Sequence, residues 1–301
     1  MKDLYSVNQL EKEDIQKIFQ LAKEYKERFL KGEKKFNDLR GCSILLVFFE
    51  NSTRTRTSFE LAGKILGADT INISASSSSV KKGETLYDTV KTLEALNSDF
   101  IVIRHNMSGA AKIVANSVKS HVVNAGDGTN EHPTQALLDG FTILEKKGSL
   151  EGLKIAIVGD ILHSRVARSD IKLFKKLGAE VTLCGPMTML PRHYEALGAD
   201  YITTDIKEAV KNKDVVIFLR IQLERQDKPF FSTLREYSIK YGLNQELLKI
   251  LKPDTVIMHP GPVNRGVEIQ SELVYSSKSL ILNQVENGLF IRMAVYKYLL
   301  S

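Results

Sequence analysis

The feature that most restricts the fold is the run Ser43–Phe49, S-I-L-L-V-F-F, with polar residues directly after it. A strand that is apolar on successive residues has no face to give to water. It belongs inside a parallel sheet covered by helices on both sides. The pattern recurs along the chain. Strands are expected at 43–49, 69–73, 100–104 and 121–124, then at 154–158, 180–184, 200–202, 214–219 and 255–258. Helical patterns fall between them at 8–30, 53–66, 84–97, 109–118 and 133–147, then at 165–177, 189–197, 206–211, 232–251 and 285–300. Alternating strand and helix predicts an α/β fold of two doubly wound domains, each a parallel sheet flanked by helices. A length of 301 residues suits two domains, and the second series of elements begins at Gly148–Gly152. The serine-rich stretch Ser74–Ser79 is too short for a linker and is expected to be a loop.

Composition narrows the function. Lysine and arginine exceed aspartate and glutamate by 42 − 36 = 6. The basic residues sit in mixed-sign stretches such as Glu11–Lys35, the pattern of a solvated helix face, with no basic cluster interleaved with aromatics. Nucleic acid is therefore not the expected partner. Cys42 and Cys184 both lie in apolar, strand-like runs. Each is expected to be a buried thiol, and neither a disulfide framework nor a zinc spacing is present. Met1-Lys2-Asp3-Leu4 does not open a signal peptide, and Cys42–Phe49 is too short to span a bilayer. No membrane association is expected, and the expected location is the cytoplasm.

In doubly wound sheets, ligands sit outside the carboxyl ends of the strands. After the first strand comes Glu50-Asn51-Ser52-Thr53-Arg54-Thr55-Arg56. Hydroxyls and arginine forks at a helix start, where backbone N–H groups lack partners, make a phosphate site. The competing reading is a capped helix with solvated arginines, but the doubled Thr-Arg directly after a buried strand favours the anion. The serine-rich loop carries Ser78, Lys81 and Lys82; its two lysines could reach a second anion, the competing reading being a plain surface loop. Arg104 ends the third strand. His132 stands at a loop-to-helix start with Pro133 at the first helical position, able to donate to a carbonyl oxygen. In the second half, Gly159–Arg165 follows a strand but lacks G-x-G-x-x-G, which argues against a dinucleotide. Arg165 and Arg220 at separate strand ends suit a substrate with two carboxylates. A phosphate site in one domain and a dicarboxylate site in the other would share a cleft.

The motifs S-T-R-T-R at 52–56, H-P-T-Q at 132–135, K-K-G-E at 81–84, R-x-Q at 220–222 and H-P-G-P at 259–262 resemble the aspartate and ornithine carbamoyltransferase superfamily over essentially the whole chain. The last three point to its aspartate branch. The serine-methionine-glycine loop and H-C-L-P motif typical of the ornithine branch are absent. The resemblance implies transfer of a carbamoyl group from carbamoyl phosphate to L-aspartate, an early step of pyrimidine synthesis, with no cofactor and no metal. It implies a carbamoyl-phosphate-binding domain at 1–133 plus the C-terminal helix 285–301, an aspartate-binding domain at 134–284, and an active site in the cleft between them.

By the same resemblance, Ser52, Thr53, Arg54 and Thr55 form the phosphate pocket. Thr55, Arg104 and His132 donate to the carbamoyl oxygen. Gln135 binds the carbamoyl amine, aided by Pro260 and Gly261. Lys82, Arg165, Arg220, Gln222, Gly261 and Pro262 hold aspartate. Ser78 and Lys82 reach into a neighbouring subunit's site, which implies a homotrimer. Arg54, Thr55, Lys82, Arg104 and His132 are the expected catalytic set. Glu50 is expected to bridge the domains through Arg165 and Arg225, and the Gly261–Pro262 bond to be cis. The residue between the two prolines of H-P-x-P is often leucine in the family and is Gly261 here, a position that contributes backbone. A regulatory chain or a dihydroorotase as further partner is left open.

Overall fold

The computed structural model describes residues 1–74, 84–221 and 233–301. The chain divides into two compact units, one of Met1–Leu138 with Glu286–Ser301 and one of Asp139–Val285.

The first unit is built on a four-stranded sheet of order β2-β1-β3-β4: β1 (Ser43–Phe48), β2 (Asp69–Ser74), β3 (Phe100–His105) and β4 (His121–Asp127). All three pairings are parallel. From Ile44 to Phe48 every residue of β1 is buried, as its unbroken apolar run requires. Fully burying each such side chain contributes about 1.5–3 kcal/mol. Leu4 bridges Val123 and gives the β4 edge a short cover. Four helices follow strands or precede them: α1 (Lys12–Leu30), α2 (Thr53–Ile65), α3 (Leu86–Glu94) and α4 (Ala110–Ser117). Helix α2 crosses its sheet closely at Gly63. A Cβ there would stand 2.7 Å from Ile44 Cδ1 and 2.8 Å from Thr70 Cγ2.

The division between the units falls within two helices, α5 (Pro133–Lys147) and the last helix of the chain. The second unit carries a five-stranded parallel sheet of order β7-β6-β5-β8-β9: β5 (Lys154–Val158), β6 (Glu180–Cys184), β7 (Tyr201–Thr203), β8 (Val215–Phe218) and β9 (Val256–Met258). Helices α6 (Arg165–Lys176), α7 (Ile206–Val210), α8 (Leu234–Tyr241) and α9 (Gln245–Leu248) accompany it, and α10 (Ile281–Leu300) closes the chain. Its core gathers Val158, Cys184, Phe218, Tyr237, Leu243 and Ile257 among others.

Three helical expectations differ from the structure. The pattern at 8–30 is helical only from Lys12. A 3-10 turn at Val7–Gln9, capped by Ser6, comes first, and Leu10 is extended. The expected helix at 189–197 is instead two 3-10 turns, Met187–Met189 and Glu195–Leu197. Pro191 disfavours the helical region for Leu190, which is extended at ψ 139. The stretch 232–251 is split into α8 and α9 because Gly242 turns extended and Leu243 pairs with Glu268 and Ile269; residue 232 lies outside the described residues. Cys42, expected to be buried, is half-buried at the foot of β1, whereas Cys184 is buried. Burial raises the Cys42 thiol and pushes the Cys184 thiol up to about 12. Among the described residues, no helix is long and apolar enough to cross a membrane.

Candidate active site

In the first unit the strand order reverses between β1 and β3, the position where doubly wound sheets open a crevice at their carboxyl edge. Register sets what meets there. Phe48 stands beside Arg104, and Phe49 N–H donates to the Arg104 carbonyl at 2.8 Å. Arg104 is held by Glu50, whose Oε2 accepts from its Nε at 3.1 Å, and by the Ala125 carbonyl, which accepts from Nη1 at 3.3 Å. Glu50 thus has an ion-pair partner within its own unit, which the sequence did not foretell. The pair is mostly shielded from solvent, so its attraction is less screened than that of a surface pair.

Helix α2 starts at the same edge. Ser52 occupies its N-cap position with extended backbone, yet its side chain makes no capping hydrogen bond. Thr53 and Arg54 are exposed at the helix start and Thr55 is half-buried. Backbone N–H groups, three hydroxyl-bearing residues and an arginine lie at one helix start, where the helix dipole also favours negative charge.

The turn after β4 brings the next group. Asp127 is buried and accepts hydrogen bonds from Gly109 N (2.7 Å), Asn124 Nδ2 (2.8 Å), Asn130 Nδ2 (3.0 Å) and Glu131 N (3.1 Å). Glu131, also buried, accepts from Ser6 Oγ at 2.6 Å and Val7 N at 2.8 Å. This network fixes the residues on which His132 follows. His132 is 4% exposed, its carbonyl accepts from Gln135 N at 3.0 Å, and Pro133 opens α5 as expected. His105, next to Arg104, is turned to a local task. Its Nδ1 accepts from Met107 N at 2.9 Å, and burial lowers its pKa, so the ring is neutral.

The second unit repeats the arrangement. Its order reverses between β5 and β8, and Val158 stands beside Phe218. Leu219 N–H donates to the Val158 carbonyl at 2.8 Å, which sets Arg220 at the same edge as Gly159. Asp160, fully buried, shapes the loop before α6 by accepting from His163 N at 3.2 Å and meeting His163 Nδ1 at 2.8 Å. Ser164 caps α6 through Ala167 N at 3.1 Å, and Arg165 is the first helical residue, 4% exposed. After β9, His259 is buried, Pro260 and Gly261 are half-buried and Pro262 is exposed. The Gly261–Pro262 bond is cis, as the resemblance implies.

Ser78, Lys82, Gln222 and Arg225 lie outside the described residues. Four buried acids that the sequence did not single out support the strand-end loops: Asp127, Glu131, Asp160 and Glu268. Each is flanked by ordinary residues; Glu131 and Glu268 reach partners as far as 125 and 47 residues away, while Asp127 and Asp160 bind mostly within their own turns. Among the described residues, no group of three or more His, Cys, Asp or Glu could hold a metal ion.

Fold and strand ends define a class first: an α/β protein of two doubly wound units, each with arginine at the switch point of its sheet. Comparison with known proteins narrows that class. Residues 2–145 match the family described as aspartate/ornithine carbamoyltransferase, carbamoyl-P binding domain, and residues 151–299 match its Asp/Orn binding domain. The aspartate carbamoyltransferase catalytic subunit of Ruminiclostridium cellulolyticum is 55% identical over 300 residues, covering 100% of this chain and 95% of that relative. A solved structure of aspartate transcarbamoylase from Trypanosoma cruzi with carbamoyl aspartate and phosphate is 30% identical, with TM-score 0.91 over 99% of this chain and 95% of that one. Ornithine carbamoyltransferase from Thermus thermophilus is 29% identical, with TM-score 0.89 over 100% and 99% of the two chains. The chain belongs to the aspartate/ornithine carbamoyltransferase family.

Proposed function

We propose that this chain is a carbamoyltransferase acting on L-aspartate, giving N-carbamoyl-L-aspartate and phosphate, an early step of pyrimidine synthesis. The observation that carries the reading is the shared edge of the first sheet. There the register of β1 and β3 sets Arg104 beside the start of α2 with its Ser52–Thr55 cluster. The relatives named as aspartate carbamoyltransferase catalytic subunits support the choice of acceptor.

In this reading Ser52, Thr53, Arg54 and Thr55 hold the phosphate of carbamoyl phosphate, and Gln135 with the backbone of Pro260 and Gly261 holds the carbamoyl amide. Arg165, Arg220 and Gln222, with Gly261 and Pro262, hold aspartate. The neutral amine of aspartate attacks the carbamoyl carbon. A C–N bond forms and the carbonyl oxygen takes up negative charge, which Thr55, Arg104 and His132 stabilise. The C–O bond to phosphorus's oxygen then breaks, its electron pair leaves on phosphate, and the amine proton leaves with that phosphate. No covalent enzyme intermediate is needed. Rate comes from holding two substrates in attack geometry and from donors already aimed at the developing charge.

We assign residues 1–133 with 285–301 to carbamoyl-phosphate binding and 134–284 to aspartate binding. The K-K-G-E motif supports a homotrimer in which Ser78 and Lys82 complete a neighbour's site, with sedimentation of the purified chain as the test. Two free cysteines fit a reducing, cytoplasmic setting. The deciding assay is phosphate release from carbamoyl phosphate with L-aspartate, and separately with L-ornithine. Release with aspartate alone is expected. Release with ornithine alone would overturn the acceptor while keeping the phosphate pocket.

A further inference from the structure

Two strand-end segments of the second unit are joined by one side chain. Glu268 is 0% exposed. Its Oε1 accepts from Ile221 N at 2.9 Å and from Asn264 Nδ2 at 2.8 Å. Its Oε2 accepts from Asn264 N at 2.7 Å and faces His259 Nε2 at 3.8 Å. His259 Nδ1 accepts from Gly261 N at 2.8 Å, which places the proton of the neutral ring on Nε2, toward the carboxylate. Donors from the segment after β8 and the segment after β9 therefore meet on one buried acid. Ile221 is the neighbour of Arg220, and His259 and Asn264 bracket Gly261 and Pro262.

A packing role would not call for a carboxylate. Burial disfavours the charged form and pushes the Glu268 carboxyl up from the usual range, against the pull of its own hydrogen bonds. An amide of the same shape would turn an NH₂ toward donors, leaving at least one of them unanswered. The backbone of Glu268 is fixed as well, its carbonyl accepting from Leu243 N at 2.9 Å. The acid is an anchored post to which both segments are tied.

We propose that Glu268 is a positioning residue that sets the spacing between Arg220 and the Gly261–Pro262 turn, and so the fit of the aspartate acceptor. The proposal rests on the acceptor reading above. Misplacement of a binding group by about 1 Å can cost up to about a hundredfold. Carbamoyl phosphate, held mainly by the first unit in that reading, should be far less affected.

The test is steady-state kinetics of the full chain with Glu268→Gln and with Asn264→Ala, each beside wild type, with thermal melts of all three. Glu268→Gln is expected to raise KM for aspartate about tenfold or more, with KM for carbamoyl phosphate within about twofold of wild type. Asn264→Ala, which removes one donor and no charge, should shift KM for aspartate the same way by about threefold. If Glu268→Gln does not fold, Asn264→Ala decides alone. Unchanged KM for aspartate in the folded variants overturns the proposal, as does a loss of kcat and of both KM values that follows the melting temperature. A wild type that releases no phosphate with aspartate fells the acceptor reading and this proposal together, an outcome told apart by the inactive control.

Discussion

The two units use one plan and end it differently. Each has a parallel sheet whose order reverses once, between β1 and β3 or between β5 and β8, and each starts a helix at that reversal with a serine at the N-cap. In α6 the serine caps its own helix through Ala167 N. In α2 Ser52 makes no such bond. The first helix start therefore offers backbone donors and hydroxyls to an outside anion. The second is closed, and what it presents is a side chain, Arg165. A shared plan thus carries, in the proposed reading, phosphate-binding groups in one unit and arginines for carboxylates in the other. The choice is made by a few side chains after each strand, not by the sheet.

If that contrast is right, substitutions in the two units should fail in different ways. In the proposed reading Arg54→Ala or Arg104→Ala removes a donor to phosphate or to the developing oxyanion, and losing one such donor costs about 2.7–4 kcal/mol of barrier. An activity drop of about a hundredfold or more, mainly in kcat, is expected from phosphate-release assays at saturating substrates. Arg220→Ala should instead spare most of kcat and raise KM for aspartate by about ten- to a hundredfold, the loss of a charge-assisted hydrogen bond of about 1.5–3 kcal/mol. If Arg220→Ala struck kcat alone, or Arg54→Ala left activity intact, the division of labour between the sheets would be lost.

How much of this could be seen in the sequence depended on the range of the forces involved. Buried parallel strands announce themselves, so every sheet strand was visible, and polar residues after them pointed to Ser52–Thr55, Arg104, His132, Arg165 and Arg220. The helix expected at 189–197 failed on a local rule passed over, Pro191 acting on Leu190. The difference between the two N-cap serines was invisible, since both sit before an apolar helix pattern. Glu268 was invisible for a stronger reason. It lies in V-E-I, an ordinary alternating stretch, and its partner Ile221 is 47 residues away. Long-range hydrogen bonding to a buried acid has no periodicity to betray it.

Two glycines, one in each unit, differ in what surrounds them, which gives two stability tests. A Cβ at Gly242 would lie 2.6 Å from the carbonyl oxygens of both Ser238 and Val267, backbone atoms that cannot turn away. Gly242→Ala should therefore cost about 1–3 kcal/mol or more, seen in a urea midpoint. At Gly63 the obstacles are side-chain ends, Ile44 Cδ1 and Thr70 Cγ2, and alanine regains about 0.8–1 kcal/mol of helix propensity. Gly63→Ala should cost less, about 1 kcal/mol, with both KM values unchanged. The reverse order would mean that the α2 packing is the more rigid of the two.

The smallest effect separates the units by pH. In the second unit Asp170 on α6 lies beside Asp139 on α5, both fully buried, and Gln284 Nε2 donates to Asp139 Oδ1 at 2.6 Å. Burial first, then the neighbouring Asp139, pushes the Asp170 carboxyl well above the usual carboxylate range. The folded chain thus holds a proton that the unfolded chain releases near its ordinary value of about 3.9. A group raised in the folded state contributes stability that is full below the unfolded pKa and is lost as pH rises through the folded one. Asp170→Asn removes the titration while keeping the shape. The melting temperature of Asp170→Asn minus that of wild type should therefore grow by a few degrees, roughly, between pH 5 and pH 8. A difference that stays constant over that range would mean that Asp170 is ionised in the folded protein and that some partner, not a shared proton, holds the pair together.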